Sequence, residues 1–377
     1  MTPSARLLST DPGRTLSRAS RCALLAVCVA SAIAGTASAH EEYVVDDEHA
    51  VGVGEFLTES LTDPFVVGPL LGGALAVLAL VGGYLAVRPF PRDVAAFRTA
   101  MDEYRGYVPW LLRISFGIPL IGAGFSGYFI SPAVEIDLRL VQVALGFLLL
   151  FGLATRLVAL IGLVAYLVGL VRWPTLLLQL EFVGGLAAIA LVGSGKPSAD
   201  HVLQRVAGTS GTVYRQFDPV HRRAQAFQEW IGAYEPLLPT VTRVGLGATF
   251  VVLGVGQKLL RPGIALAVVE RYDLTAVLPV PPELWVLGAG LTEAALGVAL
   301  IVGLFTRATA GVAIFMFTLT LFALPDDPVL AHVGLFGMAS VLLITGSGPS
   351  AVDEYLATLA GDAERADAAR SEAVDAP

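Results

Sequence analysis

Nine apolar runs fill most of the chain, and they restrict it to folds that lipid can surround. A backbone N–H or C=O group finds no water in hydrocarbon, so only helices and closed barrels cross a bilayer. The runs are continuously apolar and lack the period-two alternation of barrel strands. The sequence therefore predicts an all-α, polytopic membrane protein. The nine predicted spans cover residues 66–87, 110–129, 138–153, 157–171, 176–194, 241–257, 284–303, 308–324 and 329–346.

Charge placement supports this interpretation and predicts an orientation. Only 15% of the residues are charged, against about a quarter in soluble domains. Arginines gather in the loop after the first span and in the long central loop, which the positive-inside rule places in the cytoplasm. We expect a multi-pass protein of the cell membrane, with its mature N-terminus outside and its C-terminus cytoplasmic. The bilayer is the predicted partner, and a net charge of −8 without a basic face argues against nucleic acid.

The N-terminus has the three parts of an export signal. Basic residues precede an apolar stretch, and Ala37-Ser38-Ala39 forms a small-residue cleavage site. We expect a signal peptide at 1–39, with an uncleaved anchor as the alternative, then an extracytoplasmic segment at 40–65 and a lone transmembrane helix at 66–88. Cleavage would make His40 the first residue, where amine and imidazole can bind copper. The alternative for His40 is an ordinary solvated terminus, and no other metal site is predicted.

The rest of the chain contains an internal repeat. Residues leading into the second span recur 130 positions later, before the sixth span. After the next loop the offset is 151, so the second copy has 21 extra residues in its first outer loop. Each copy holds four spans, which gives both copies the same orientation in the membrane. We expect a first unit at 89–200, which begins with an amphipathic helix, and a cytoplasmic linker at 201–226. A second unit at 227–353 and an acidic cytoplasmic tail at 354–377 follow. Matched pairs include Phe97 with Phe227, Pro109 with Pro239, Arg113 with Arg243, Gly152 with Gly303, Arg156 with Arg307 and Asp200 with Asp353.

Ionisable residues inside apolar runs are the candidates for function, because each costs roughly 2.5–3.5 kcal/mol at membrane depth unless it is paired. Glu293 lies halfway along a predicted span, and its counterpart in the first unit is the uncharged Gln142. Glu181 and His332 occupy equivalent places in the two units, and Lys258 ends the sixth span. These five residues form the candidate polar pocket, where a carboxylate and an imidazole can relay protons or bind a quinone carbonyl. The alternative is interhelical hydrogen bonding that fixes packing. Four further residues are predicted to anchor the cytoplasmic turns: Arg113, Arg156, Arg243 and Arg307.

Short motifs of the second unit resemble a known family. A glycine-rich span ends in Gly254-Val255-Gly256-Gln257-Lys258, Leu291-Thr292-Glu293 follows, and Gly303-Leu304-Phe305-Thr306-Arg307 comes next. Over residues 238–353 this pattern is similar to the DoxX-like family of small four-helix membrane proteins. Residues 108–200 are similar too, through Arg113, Gly124, Gly146 and Arg156, but they have Gln142 and Tyr128 in place of Glu293 and Lys258.

The resemblance implies a membrane-embedded subunit of an oxidoreductase assembly. The family's namesakes belong to a thiosulfate:quinone oxidoreductase, and other members are linked to oxidative or thiol stress. Quinone is then the candidate cofactor, and a redox subunit the candidate partner. The residues themselves leave two alternatives open: a structural partner that assembles other membrane proteins, and a proton-coupled transporter of small solutes. Whether the chain is itself an enzyme stays open.

Overall fold

The computed structural model describes residues 51–213 and 221–358. The predicted signal peptide, His40 with its copper hypothesis, and most of the acidic tail lie outside the described residues. Within those two ranges every extended element is a helix, and one isolated β-bridge joins Tyr128 to Glu135. The prediction of an all-α fold is therefore confirmed for this part of the chain.

Two helices precede the predicted units: α1, Val53–Thr62, and α2, Pro64–Val87. The Asp63 side chain starts α2 by accepting a hydrogen bond from the backbone N–H of Phe65 at 2.8 Å. The most apolar window of α2 has a mean hydropathy of 2.3, and only 6% of that window is buried. Nearly the whole surface of α2 therefore faces outward, as a helix surrounded by lipid requires.

Seven further helices lie between α2 and the second predicted unit. α3, Pro91–Asp102, leads through the 3-10 turn Glu103–Tyr107 into α4, Val108–Ser126. Then follow α5, Arg139–Phe151, α6, Thr155–Arg172, the 3-10 turn Pro174–Gln179, and α7, Glu181–Val192. The predicted linker contains α8, Ala199–Gly208, and the start of α9, His221–Gly232.

The first predicted span of the second unit lies in α10, Leu238–Val251, which continues as a π-helix over Val252–Leu259. The extra residues expected in its first outer loop form α11, Pro262–Arg271, and α12, Leu274–Val277. The remaining helices are α13, Pro282–Val302, α14, Thr306–Ala323, and α15, Val329–Thr345, before a helical segment at 352–358.

Four helices form the centre of the molecule. α4 packs on α7 and α10 packs on α15, while α4 also packs on α15 and α7 on α10. α5 lies against α4 and α6 against α7, and α13 and α14 lie in the same way against α10 and α15. Phe116, Leu186, Leu246 and Leu342 are fully buried in the shared apolar core. α7 and α10 cross at two glycines, because a Cβ atom on Gly184 would lie 2.7 Å from the Cα atom of Gly245.

The helix that leads into each predicted unit packs on a helix of the other unit. α3 packs on α15, where the Arg105 side chain donates a hydrogen bond to the Thr345 carbonyl oxygen at 3.2 Å. α9 packs on α7. Each leading helix therefore covers helix ends of the other predicted unit.

Six stretches of the described chain are long and apolar enough to cross a membrane. They contain α2, α4, α6, α10 with its π-helix, α13 and α14. The other three predicted spans are the shorter apolar helices α5, α7 and α15. α7 is short because the first residues of the span predicted at 176–194 form a 3-10 turn. The chain is therefore a polytopic membrane protein by the length and composition of its helices.

Candidate functional site

Lys258 and Glu293 form an ion pair between the π-helix and the middle of α13. The Lys258 Nζ atom lies 2.9 Å from the Glu293 Oε2 atom, and the two side chains are 21% and 14% exposed. Close helix contact makes this possible: a Cβ atom on Gly254 would lie 2.5 Å from the Gly290 carbonyl oxygen and 2.9 Å from the Glu293 Cβ atom. Lys258 is the next-to-last residue of the π-helix, and its side chain reaches α13.

His332 has different neighbours. Its Nε2 atom lies 3.5 Å from the Asp327 Oδ2 atom, and its Nδ1 atom lies 3.4 Å from the Pro328 carbonyl oxygen. The ring packs edge-on against Phe317, with 6.2 Å between the ring centroids. The structure thus brings Lys258 and Glu293 together, while His332 contacts α14 and the residues just before α15.

Glu181 lies at a small cavity between the two predicted units. It is 3% exposed, and its Oε2 atom has no hydrogen-bond partner among the described residues. The cavity has a volume of 30 Å³ and is lined from one side by residues such as Tyr128 and Gln179, and from the other by Pro328 and Gly334 at the start of α15. The Gln179 Oε1 atom is also buried without a partner. A water molecule needs at least about 10–15 Å³ of cavity space, so the cavity can hold one.

Gln142 and His332 each contact a residue that lines this cavity. The Gln142 side-chain amide donates to the Tyr128 carbonyl oxygen at 3.2 Å and to that of Leu120 at 3.3 Å. His332 contacts Pro328, as described above. The predicted polar residues therefore separate into two groups: Lys258 with Glu293, and Glu181 with Gln142 and His332 nearby.

The four predicted anchor arginines all bind backbone carbonyl oxygens, and three of the four bind them at helix ends. Arg113 and Arg243 are buried, with exposures of 1% and 2%. Arg113 donates to the Pro197 carbonyl oxygen. Arg243 donates to the last turn of α13, at Leu300 and Ile301, and to the segment that follows α15. Terminal helix carbonyls have no partner within their own helix, so these guanidinium groups stabilise the turns.

Arg156 and Arg307 bind equivalent carbonyls. The Arg156 Nη2 atom donates to the Leu191 carbonyl oxygen at 3.1 Å, and the Arg307 Nη2 atom donates to that of Ile344 at 2.9 Å. Arg307 also lies 3.1 Å from the Asp102 Oδ1 atom of α3.

The internal repeat matches Asp200 with Asp353, and the structure shows that each of them caps a helix. The Asp200 carboxylate accepts hydrogen bonds from the backbone N–H groups of Ala154 and Thr155, at 2.6 and 3.0 Å, and so caps α6. Asp353 caps α14 in the same way, through Phe305 and Thr306 at 2.6 and 2.8 Å. The signal was their equal spacing from the two Gly-Ser-Gly turns, at 193–195 and 346–348, that follow α7 and α15. Neither α6 nor α14 starts with a capping side chain of its own.

Comparison with protein families places the Lys258–Glu293 pair in a recognised domain. Residues 238–326 match the model of the DoxX family, a segment that starts at α10 and ends after α14. It contains Lys258, Glu293 and Arg307, while His332 follows it. No curated protein and no solved structure matches the chain. Residues 238–326 are therefore similar to a DoxX domain, within a chain whose apolar helices are those of a membrane protein.

Proposed function

We propose that this DoxX-like protein is a membrane subunit of a quinone-linked oxidoreductase or redox-stress assembly. The observation that carries the proposal is the Lys258–Glu293 ion pair, which includes a π-helix residue and lies inside the DoxX segment. π-Helices are rare and occur frequently at functional sites. Because both side chains keep part of their surface accessible, a ligand can reach the pair.

The residues present fit the chemistry of a quinone. The Lys258 ammonium group has three N–H donors, which suit a carbonyl oxygen, and Glu293 holds that ammonium group in place. Apart from Thr292, the neighbouring residues of α13 are apolar, as a quinone ring and tail require. A bound quinone supplies two-electron redox chemistry. The roles of this chain are to bind and orient the carbonyl and to hold a proton at the Glu293 carboxylate.

The test is the quinone content of the purified full chain, together with the quinone-reductase activity of membranes that contain it. Lys258→Gln and Glu293→Gln each remove a charge while keeping a polar side chain. We expect each substitution to lower bound quinone and activity about tenfold or more, since a hydrogen bond to a charged group contributes about 1.5–3 kcal/mol.

A matched control is the exposed ion pair of Arg271 and Asp326, with 3.2 Å between the Arg271 Nη2 and Asp326 Oδ2 atoms. It lies between spans, where partial burial and the hydrogen bond to Asp326 raise the pKa of Tyr272. Asp326→Asn should leave quinone content and activity unchanged. Wild-type protein without quinone, together with unchanged activity in both site variants, would contradict the proposal.

A structural partner that assembles other membrane proteins is the second candidate function. It is favoured by the four arginines, which bind backbone carbonyl oxygens and so stabilise turns. Under this alternative, Glu293→Gln would still co-purify the same membrane partners, and the partners' activity would be unchanged.

A proton-coupled transporter of small solutes is the third candidate, and the Glu181 cavity favours it. An unpartnered carboxylate oxygen between two helix groups can take up and release a proton when those groups move. Glu181→Gln should then abolish the dependence of solute uptake on a pH gradient in proteoliposomes. Uptake that ignores both the gradient and the substitution would remove this candidate.

The proposal extends to the organisation of the chain: nine spans, two parallel four-helix units, the N-terminus outside and the C-terminus in the cytoplasm. Equivalent contacts support the duplication. Gly152 and Gly303 end α5 and α13 in left-handed conformations, with φ of 70° and 71°. Their carbonyl oxygens accept hydrogen bonds from the backbone N–H groups of Asp200 and Asp353, both at 2.9 Å.

A further inference from the structure

A larger cavity lies where the ends of α6 and α7 meet α8 and α9. Its volume is 620 Å³, within the range of roughly 300–1,000 Å³ that is typical of small-molecule sites. It is lined by the first turn of α6, the residues after α7, one side of α8 and the last turns of α9. Neither Lys258 nor Glu293 lines it, so it is a site separate from the proposed quinone site.

Positively charged side chains line the cavity. Arg156 lines it, and the Arg156 Nε atom is buried without a hydrogen-bond partner in the described part of the chain. Lys196 and His201 line it as well. Of the two acidic lining residues, Asp200 already accepts hydrogen bonds at both oxygens from the start of α6, and Glu235 is exposed. The charge of Glu235 also acts on Arg156, and the N–H groups of Arg156, Lys196 and His201 are the lining donors that an oxygen atom in the cavity can meet.

Arg307, the equivalent arginine of the DoxX segment, shows that an acidic group can bind at this position. Arg307 makes the same carbonyl contact as Arg156 and in addition pairs with Asp102, the last residue of α3. The last residue of α9 is Gly232, which lines the cavity beside Arg156. Asp102 thus supplies a carboxylate to the Nη2 atom of Arg307, whereas the equivalent position beside Arg156 carries no side chain; among the described residues, the Nε atoms of both arginines are buried without a partner.

We propose that this cavity binds the phosphate group of an anionic ligand, with Arg156 as the main contact and Lys196 and His201 as further donors. Guanidinium groups bind phosphate oxygens in pairs of short, charge-assisted hydrogen bonds. The other lining residues include Leu157, Leu203 and Phe227, and the outward face of α6 continues the apolar surface. An anionic phospholipid supplies both the phosphate and the apolar chains, and a soluble phosphate compound is the other source.

The test uses the full chain in nanodiscs of phosphatidylcholine with a minor fraction of phosphatidylglycerol. Native mass spectrometry counts the phosphatidylglycerol molecules that stay bound, and a parallel titration measures inorganic phosphate. Arg156→Gln removes the main contact, and Gly232→Asp supplies the carboxylate that Asp102 provides at Arg307. A Cβ atom on Gly232 has no neighbour within 4 Å, so this second variant tests the site without disturbing the fold.

We expect both variants to lower the affinity for the phosphate-bearing ligand about tenfold or more, as the loss of a charged hydrogen bond implies. The control Gly208→Asp adds the same charge at the end of α8, where a Cβ atom again has no neighbour within 4 Å. It should change the affinity less than about twofold. Retained phosphatidylglycerol that inorganic phosphate does not displace assigns a lipid, and displacement by inorganic phosphate assigns a soluble phosphate compound. Equal binding in wild type, Arg156→Gln and Gly232→Asp would overturn the proposal, as would an equal loss in Gly208→Asp.

Discussion

At the scale of single residues, the Lys258 ammonium group is the ion-pair partner of the Glu293 carboxylate. The two opposite charges lie 2.9 Å apart with most of both side chains hidden from solvent. Breaking such a pair leaves one charge without compensation, whereas removing both members also removes their desolvation cost. The pair therefore specifies how the π-helix meets α13 more than it adds to net stability.

A double-mutant cycle tests this dependence. Lys258→Met should lower the free energy of unfolding by about 1–3 kcal/mol, because it leaves a partly buried carboxylate unpaired. Adding Glu293→Leu should recover most of that loss. Thermal unfolding in one detergent measures all four proteins, and losses that simply add would contradict the dependence.

The capping aspartates give a second prediction. Asp353→Ala leaves the first N–H groups of α14 without acceptors and should lower stability by about 0.5–2 kcal/mol. Glu354→Ala is the matched control, since Glu354 is the exposed next residue. Equal shifts of the thermal midpoint in the two variants would show that the cap contributes nothing.

Sequence reasoning found the polar residues but not all of their partners. Lys258 and Glu293 were predicted to share a pocket because both are charged residues in apolar runs, and they do pair. His332 was placed with them by the same rule, yet its neighbour Asp327 comes from the loop before α15. A loop residue of this kind carries no periodic signal that indicates which helix it will contact.

At the scale of helices, the crossing of α7 and α10 depends on two glycines. Gly184→Ala would place a Cβ atom 2.7 Å from the Gly245 Cα atom, so the two backbones would have to separate. We expect a loss of about 1–3 kcal/mol, as overpacking produces. Gly311→Ala on α14 is the control, because its nearest neighbour would lie 3.9 Å away. Equal thermal midpoints in the two variants would contradict this account of the crossing.

The attachment of α1 and α2 to the rest of the protein depends on a small apolar cluster. Phe56 and Val66 are buried against Ala265 and Val269 of α11 and against α13. Phe56→Ala should increase hydrogen exchange in α1 and α11 and leave α4 and α15 unchanged, since the cluster is separate from the main core. Phe65→Ala, at a side chain that is 74% exposed, should change neither region. Faster exchange across the whole molecule would contradict a local attachment.

The helices were largely predictable, and their irregular parts were not. Continuous apolar runs located α2, α13 and α14, because hydrocarbon admits no other single-segment structure. The π-helix after α10 and the 3-10 turn before α7 have no such signal, since apolar composition fits every helix type alike. They change which way Lys258 and Glu181 face, so the site geometry could not be read from the runs.

At the scale of the whole molecule, the two predicted units meet through α4, α7, α10 and α15. The Glu181 cavity lies at this contact, and α3 packs on α15 and α9 on α7 beside it. Repeat offsets identify equivalent residues within the units, but they do not indicate how one unit packs on the other. For this reason the sequence did not indicate that Asp102 pairs with Arg307, or that Gly232 lies at the equivalent position beside Arg156.

The orientation of the two units is the claim on which the rest depends, and single-cysteine labelling tests it most directly. In a chain whose cysteines, Cys22 and Cys28, are replaced by serine, four exposed positions receive a cysteine: Thr209, Glu354, Ala133 and Ala276. Parallel units predict that a membrane-impermeant maleimide reaches Thr209→Cys and Glu354→Cys from one side, and Ala133→Cys and Ala276→Cys from the other. Labelling of Thr209→Cys and Glu354→Cys from opposite sides would contradict the account.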